Sequence, residues 1–202
     1  MRPVKIDDIA KYKWGTDREI LTGIVQPCDT WFVDAHDTYT WYRAVAMALQ
    51  PHRIAELGVR YGYSAIAMIR GARPDSFVGI DGEADGVSSN GTALKNITNS
   101  PNTTDVTRLT HVTIHAFNTH TQFKPIIDTI GKCDMIHVDA DHSREGIMRE
   151  LDIARRVCSG TILVDDCDVL HILDAAQELA RRKSAEFLIL PTHHRLGVII
   201  LP

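Results

Sequence analysis

From residue 53 onward, short apolar runs alternate with amphipathic stretches. The runs are Ile54–Leu57, Phe77–Ile80, Val112–Ile114, Met135–Val138, Thr161–Val164, Phe187–Leu190 and Val198–Leu201. Each has the length and the continuous apolar character of a buried strand. Between them the pattern predicts helices at Ser64–Arg70, Thr121–Ile130, Ser143–Val157 and Val169–Lys183. A short helix around Thr92–Ile97 is expected inside the polar stretch Gly82–Asp105, the rest of which reads as loop. Ahead of the first run, Thr38–Leu49 reads as a helix with Trp41, Val45 and Leu49 four apart on one face. Strands separated by helices of this length imply parallel pairing through right-handed crossovers, hence an α/β fold in three layers. The last two runs are joined only by Pro191–Gly197, too short for a helical crossover, so they form an antiparallel hairpin. No internal repeat interrupts this order.

Composition narrows the class. A chain of 202 residues suits a single domain, and its 44% hydrophobic and 24% charged residues exclude wholesale disorder. Residues 38–202 form the core, and residues 1–37, polar and mixed, form an N-terminal segment that is a candidate lid. A net charge of −4 argues against a broad nucleic-acid face, which needs a surplus of Lys and Arg. No stretch approaches the roughly 20 apolar residues that span a bilayer. Nothing apolar follows Met1-Arg2-Pro3-Val4-Lys5, so a secretory signal is not expected and the cytoplasm is the expected location. On that expectation the sequons at Asn96-Ile97-Thr98 and Asn102-Thr103-Thr104 are chance matches. Cys28, Cys133, Cys158 and Cys167 lack metal-knuckle spacing and are free thiols that pack as small hydrophobes. A homodimer is a candidate assembly.

The first run leads through Glu56-Leu57-Gly58-Val59-Arg60-Tyr61-Gly62-Tyr63-Ser64 from strand into helix. In open α/β sheets ligands bind at the carboxyl ends of strands, where this first turn lets the backbone come close. Gly58 and Gly62 leave that room. A dinucleotide fingerprint would need glycine where Arg60 stands, so that a pyrophosphate could lie on bare backbone, and no Gly-Lys-Ser/Thr of a Walker loop follows. A phosphate-free ligand with an amino-acid ammonium, S-adenosylmethionine, tolerates Arg60 and gives Glu56 a partner. The second run ends at Asp81, 25 residues after Glu56, where a carboxylate can accept from both ribose hydroxyls. Glu56, Gly58, Gly62, Ser64, Asp81 and Asn118 make up the expected cofactor set.

The fourth run continues as Val138-Asp139-Ala140-Asp141-His142 and the fifth as Val164-Asp165-Asp166. Adjacent parallel strands end at one edge, so Asp139, Asp165 and Asp166 should meet and repel unless a cation sits among them. A hard divalent ion with oxygen ligands, Mg²⁺ above all, answers that need. The competing account makes the acids helix caps, Asp141 or Ser143 for the helix from Arg144 and Asp166 for the one near Val169. Capping explains one acid per helix, not a surplus at two strand ends. His137-x-Asp139 could form two arms of an iron site, but no third arm is assigned, and His137 reads as a packed strand histidine.

These segments together resemble the class I S-adenosylmethionine-dependent methyltransferases, in the cation-dependent O-methyltransferase group of the catechol, caffeoyl-coenzyme A and macrocin-type sugar enzymes. The resemblance runs over roughly residues 38–202 and implies a Rossmann-like, mostly parallel seven-stranded sheet ending in an antiparallel hairpin. It also implies Asp139, Asp165 and Asp166 as metal ligands, and a small hydroxylated acceptor such as a catechol, a vicinal diol, a sugar or a natural product. Two positions depart from the caffeoyl-coenzyme A type, which has asparagine at the place of Asp166 and a lysine base at the place of His142. In the sugar branch the acid matching Asp141 is the base. His142 can take a proton near neutral pH, so the catalytic base is expected to be His142 or Asp141. The rival readings are a metal-dependent oxygenase or hydrolase using His137, Asp139 and His142, and a non-catalytic cofactor-binding module.

Overall fold

The computed structural model describes residues 4–21, 37–82, 90–99 and 109–202. Residues 22–36 of the candidate lid, most of the polar stretch Gly82–Asp105, Cys28 and the sequon at Asn102 lie outside the described residues. In chain order the elements are α1 (Ile6–Ala10), α2 (Asp17–Ile20), α3 (Thr38–Leu49), β1 (Arg53–Leu57), α4 (Tyr63–Ala72), β2 (Ser76–Asp81), α5 (Asn90–Asn99) and β3 (His111–Ala116). They continue as α6 (Phe123–Ile130), β4 (Cys133–Val138), α7 (Arg144–Val157), β5 (Cys158–Val164), α8 (Leu170–Lys183), β6 (Glu186–Leu190) and β7 (Leu196–Ile200). The pattern-based boundaries of the core helices hold to within two or three residues at each end.

The sheet has seven strands in the order β3-β2-β1-β4-β5-β7-β6. β1 to β5 pair in parallel, and β7 runs antiparallel to both β5 and β6. The terminal hairpin thus folds back so that the strand formed last sits inside the sheet. Burial explains the choice: four of the five β7 residues are buried, whereas β6 is mostly half-buried and suits the edge.

Successive strand residues face opposite layers. Ile54, Phe77, Met135, Leu163 and Val198 pack under α3, α4 and α5, with Trp41, Val45, Ile66, Met68 and Ile97. Ala55, Leu57, Ile136, Val138, Ile162 and Ile199 pack under α6, α7 and α8, with Ile126, Leu151 and Ile172. Glu56 and His137, register partners on β1 and β4, fall on the first of these faces.

The chain moves outward from β1 to β3 and returns to β4, so strand order reverses between β1 and β4. Ligands of such sheets lie outside the carboxyl ends at that reversal. α3 borders this crevice, and its start is held from a distance. Asp37, at its N-cap, makes no side-chain cap bond. The buried Asp17 of α2 accepts from the Thr40 amide at 2.7 Å instead. Burial lifts the Asp17 carboxyl to about 6, against the pull of the Tyr39 and Thr40 amides. Asn96 is buried and donates to the Tyr61 carbonyl, so its sequon offers no glycan acceptor. Among the described residues no helix is long and apolar enough to cross a membrane.

Candidate active site

Main-chain bonds fasten the strand tips together at the reversal. Gly58 donates to the Ile80 carbonyl at 2.8 Å, Asp139 to Leu57 at 2.9 Å and Asp165 to Val138 at 3.2 Å. Gly58 has φ +88°, and a Cβ there would collide with the Asp139 backbone. Glycine is therefore demanded twice over, by conformation and by the approach of the β4 tip. Gly62, also left-handed, opens α4, and the Asp81 carboxylate clasps this loop by accepting from the Arg60 amide at 2.5 Å.

Glu56 and His137 are fully buried. Glu56 Oε1 accepts from Ser64 Oγ and, at 2.7 Å, from His137 Nδ1. Glu56 Oε2 is buried and has no partner among the described residues. His137 Nε2 lies 2.9 Å from the hydroxyl of Tyr42, which stands on the buried face of α3 and within hydrogen-bonding range of Asp165. Burial alone would lower the His137 imidazole, but the Glu56 bond and the charges of Asp139 and Asp165 lift it to about 9. At neutral pH the ring is then an imidazolium, donating to Glu56 on one side and to the Tyr42 oxygen on the other. Burial first, and Asp165 and Asp139 next, push Tyr42 and its neighbour Tyr39 well above the usual phenol range, so both remain neutral.

Asp139, Asp165 and Asp166 stand in two groups at this edge, with Asp139 common to both. Oxygens of Asp139 and Asp165 lie within 4.8 Å of each other and of a His137 nitrogen, and Asp139, His142 and Asp166 form a second such group. Asp165 Oδ1 is buried without a partner among the described residues. Burial, and after it Asp165 and Asp166, raises Asp139 to about 6, although its bond to His142 opposes the shift. His142 stands between the acids, Nδ1 2.8 Å from Asp166 and Nε2 3.5 Å from Asp139. Those two carboxylates raise it to about 10, and it in turn holds Asp166 below the ordinary carboxylate range. The protonated imidazole thus fills the place of a cation among the acids.

Capping accounts for none of the three. α7 is capped by Ser143, whose hydroxyl accepts from Gly146 at 3.0 Å. α8 starts at Val169 with no side-chain cap, and Asp166 offers that turn only its carbonyl, at 2.9 Å. Asp166 itself is left-handed, with φ 54°, and backbone bonds from Cys167 to Arg195 and Asp168 to His194 pin its loop to the β6–β7 turn.

Asp141 and Asn118 face another way. The Asp141 carboxylate lies against Gly146, accepts from the Ser143 amide at 2.9 Å and is paired with His120. Burial pushes it up, but the Ser143 and His120 bonds hold it below the usual range. Arg149 donates to His120 Nδ1 at 2.8 Å, and Asn118 Oδ1 accepts from the His120 amide. His120 was not singled out in the sequence, where nothing joins it to Asp141, 21 residues on. Tyr42 did leave a signal, a phenol beside the buried stripe of α3 that must find a polar partner.

The family described as "Methyltransferase domain" matches residues 55–167, more than half of the chain. The chain belongs to this methyltransferase family. No curated protein matches it significantly. Among solved structures it is similar to the methyltransferase PaMTH1 of Podospora anserina, with 15% identity, a TM-score of 0.62 and coverage of 98% of this chain and 89% of that one. It is also similar to an O-methyltransferase of Bacillus cereus, with 14% identity, a TM-score of 0.60 and coverage of 100% and 94%. The O-methyltransferase TomG of Streptomyces achromogenes gives 15% identity, a TM-score of 0.60 and coverage of 100% and 92%. At such identities the likeness establishes the fold.

One further acid of this methyltransferase lies beneath the site. Glu150 on α7 is fully buried, facing the Thr119 hydroxyl and the Ala140 and Asp141 amides, yet neither oxygen closes a hydrogen bond among the described residues. Burial, partly offset by those donors, lifts it from 4.5 to about 8. The folded protein therefore holds a proton that the unfolded chain has already released. The stability this contributes is complete below about pH 4.5 and is lost as pH rises through about 8. Urea midpoints of the wild type should fall more steeply between pH 5 and pH 9 than those of Glu150→Gln, and at pH 9 the variant should be the more stable protein. Parallel pH slopes would show that Glu150 is ionised and satisfied.

Proposed function

We propose that this methyltransferase takes its methyl group from S-adenosylmethionine and passes it, with the help of a divalent cation, to a hydroxyl of a small molecule. The observation that carries this reading is the closeness of Asp139 to Asp165 on one side and to Asp166 on the other at the strand tips, with buried oxygens of Glu56 (Oε2) and Asp165 (Oδ1) that have no partner among the described residues. A cofactor ammonium fits the first and a hard cation the second, since a buried carboxylate without a counter-charge is costly. The Podospora and Bacillus structures contain S-adenosylhomocysteine and the TomG structure S-adenosylmethionine, which supports the choice of donor.

On this reading Glu56 receives the amino-acid ammonium, with Ser64 and His137 holding its other oxygen. Gly58 and Gly62 keep the loop close, and Asp81 receives the ribose hydroxyls. Asn118, on the turn after β3, belongs to the cofactor's far side. Asp139, Asp165 and Asp166 would hold the cation, Mg²⁺ by the hardness of its ligands. A divalent cation supplies Lewis acidity that brings an acceptor hydroxyl toward ionisation at neutral pH. With Asp139 and Asp166 turned to a cation, His142 loses the carboxylates that keep it protonated, and the imidazole so released takes the hydroxyl proton at Nε2, the nitrogen with the longer carboxylate contact. Asp141, turned toward His120, orients the loop. Two adjacent oxygens engage a cation better than one, so the acceptor is catechol-like or a vicinal diol, including sugars and natural products.

Asp81→Ala should weaken S-adenosylhomocysteine binding roughly 10–100-fold, from the loss of charge-assisted bonds worth about 1.5–3 kcal/mol. Calorimetry reads this directly, and unchanged affinity would remove Asp81 from the pocket.

The base is tested by a pair of variants. His142→Gln should cut turnover by about 10²–10⁴-fold, with Asp141→Asn the milder change. The opposite ranking would move the base to Asp141.

Cation dependence is tested by chelation. EDTA should abolish methyl transfer to a catechol and Mg²⁺ restore it, while S-adenosylhomocysteine binding persists in EDTA. Asp165→Asn should lower activity far more than cofactor affinity. Full activity in EDTA from protein containing no metal would overturn the cation's role.

A further inference from the structure

At the other edge of the sheet, Cys133 opens β4 and Cys158 opens β5, and the two are register partners. Neighbouring strands lie about 4.8 Å apart, inside the roughly 4.4–6.8 Å separation of Cα atoms that a disulfide bridges. Both side chains enter the layer under α6, α7 and α8, and both are free thiols. The two thiols lie within interaction range of each other, and the Cys158 thiol donates to the Thr161 carbonyl oxygen at 3.2 Å. Both thiols are buried, and the residues next to them in sequence, Lys132 and Ser159, are exposed, so the pair sits at the buried base of the sheet where the two strands begin.

We propose that Cys133 and Cys158 form a dithiol site that hydrogen peroxide oxidises to an intramolecular disulfide. Cys158 is the attacking thiol: interaction with Cys133 pulls it below the usual thiol range and pushes Cys133 above it. Cys158 Sγ attacks one peroxide oxygen, the O–O bond breaks, and the products are a Cys158 sulfenic acid and water. Cys133 Sγ then attacks Cys158 Sγ, the S–O bond breaks, and the departing hydroxide takes the Cys133 proton as a second water. Two thiols are oxidised and one peroxide is reduced to two waters. The new bond closes the segment from β4 through α7 to β5 at its base, opposite the tips that carry Asp139 and Asp165.

The test uses hydrogen peroxide on the reduced full-length protein. The expected product has lost two hydrogens, yields a crosslinked peptide joining Cys133 and Cys158, and melts about 5–10 °C higher until dithiothreitol restores the original value. Cys133→Ser and Cys158→Ser should each abolish the crosslink, and Cys28→Ser and Cys167→Ser should leave it intact. Peptide mapping of the wild type decides the matter even if a serine variant fails to fold. A crosslink through Cys28 or Cys167 would overturn the proposal, as would oxidation to sulfinic acid without a bridge, or thiols that stay reduced in peroxide.

Discussion

Glu56 and His137 face each other across the β1–β4 ladder with no access to solvent. A carboxylate buried alone in such a place would give up its charge, and an imidazole buried alone would stay neutral. The Glu56 bond holds the proton on His137, and their surroundings follow from that need. Tyr42 must bring its hydroxyl to the second imidazole nitrogen, so α3 must lie across this face of the sheet at that height. Asp17 must then supply the amide acceptor that α3 lacks at its own start, which draws α2 onto the same layer. The packing of the N-terminal elements is thus tied to one polar pair at the centre of the sheet.

The same pair divides the strand tips into two compartments. On the β1 side, Ser64 and His137 share one Glu56 oxygen and leave the other buried with no partner among the described residues. On the β5 side, Tyr42 approaches Asp165, which also keeps one buried oxygen unpartnered. The His137 imidazole and the Tyr42 phenol link Glu56 to Asp165. Methyl transfer needs such proximity of neighbouring sites, because in-line displacement depends on placing both reactants within a narrow geometry.

The layered fold was legible because its signals are local. Thr38–Leu49 shows its period within the helix itself, and the strands appear as runs too apolar to face water. α1 and α2 were not legible, since helices of five and four residues are shorter than the pattern that would reveal them. The gathering of Asp139, Asp165 and Asp166 followed from topology, as neighbouring parallel strands share an edge. The orientation of individual side chains did not. Asp141 and His142 are adjacent in sequence, yet the first turns over Gly146 toward His120 and the second enters the acid group. The left-handed turn at Asp166 and the bonds from its loop to the β6–β7 turn are long-range consequences that no local pattern encodes.

His142 also shows why capping and charge pairing have to be weighed together. Three acids at two adjacent strand ends would be tolerable if helix amides neutralised them, but the amides of α7 turn to Ser143 and those of α8 find no side chain. The compensation comes from a protonated imidazole between Asp139 and Asp166, and Asp139 is still lifted to about 6. A more exposed arrangement would let water disperse this repulsion, and replacement of one acid by an amide would remove it. The chain does neither. It holds the carboxylates together by backbone bonds between strand tips, and it leaves Asp165 Oδ1 buried with no partner among the described residues. The imidazole relieves that repulsion unevenly: Asp166, at 2.8 Å, is held below the ordinary carboxylate range, whereas Asp139, at 3.5 Å and pushed up by burial, stays raised.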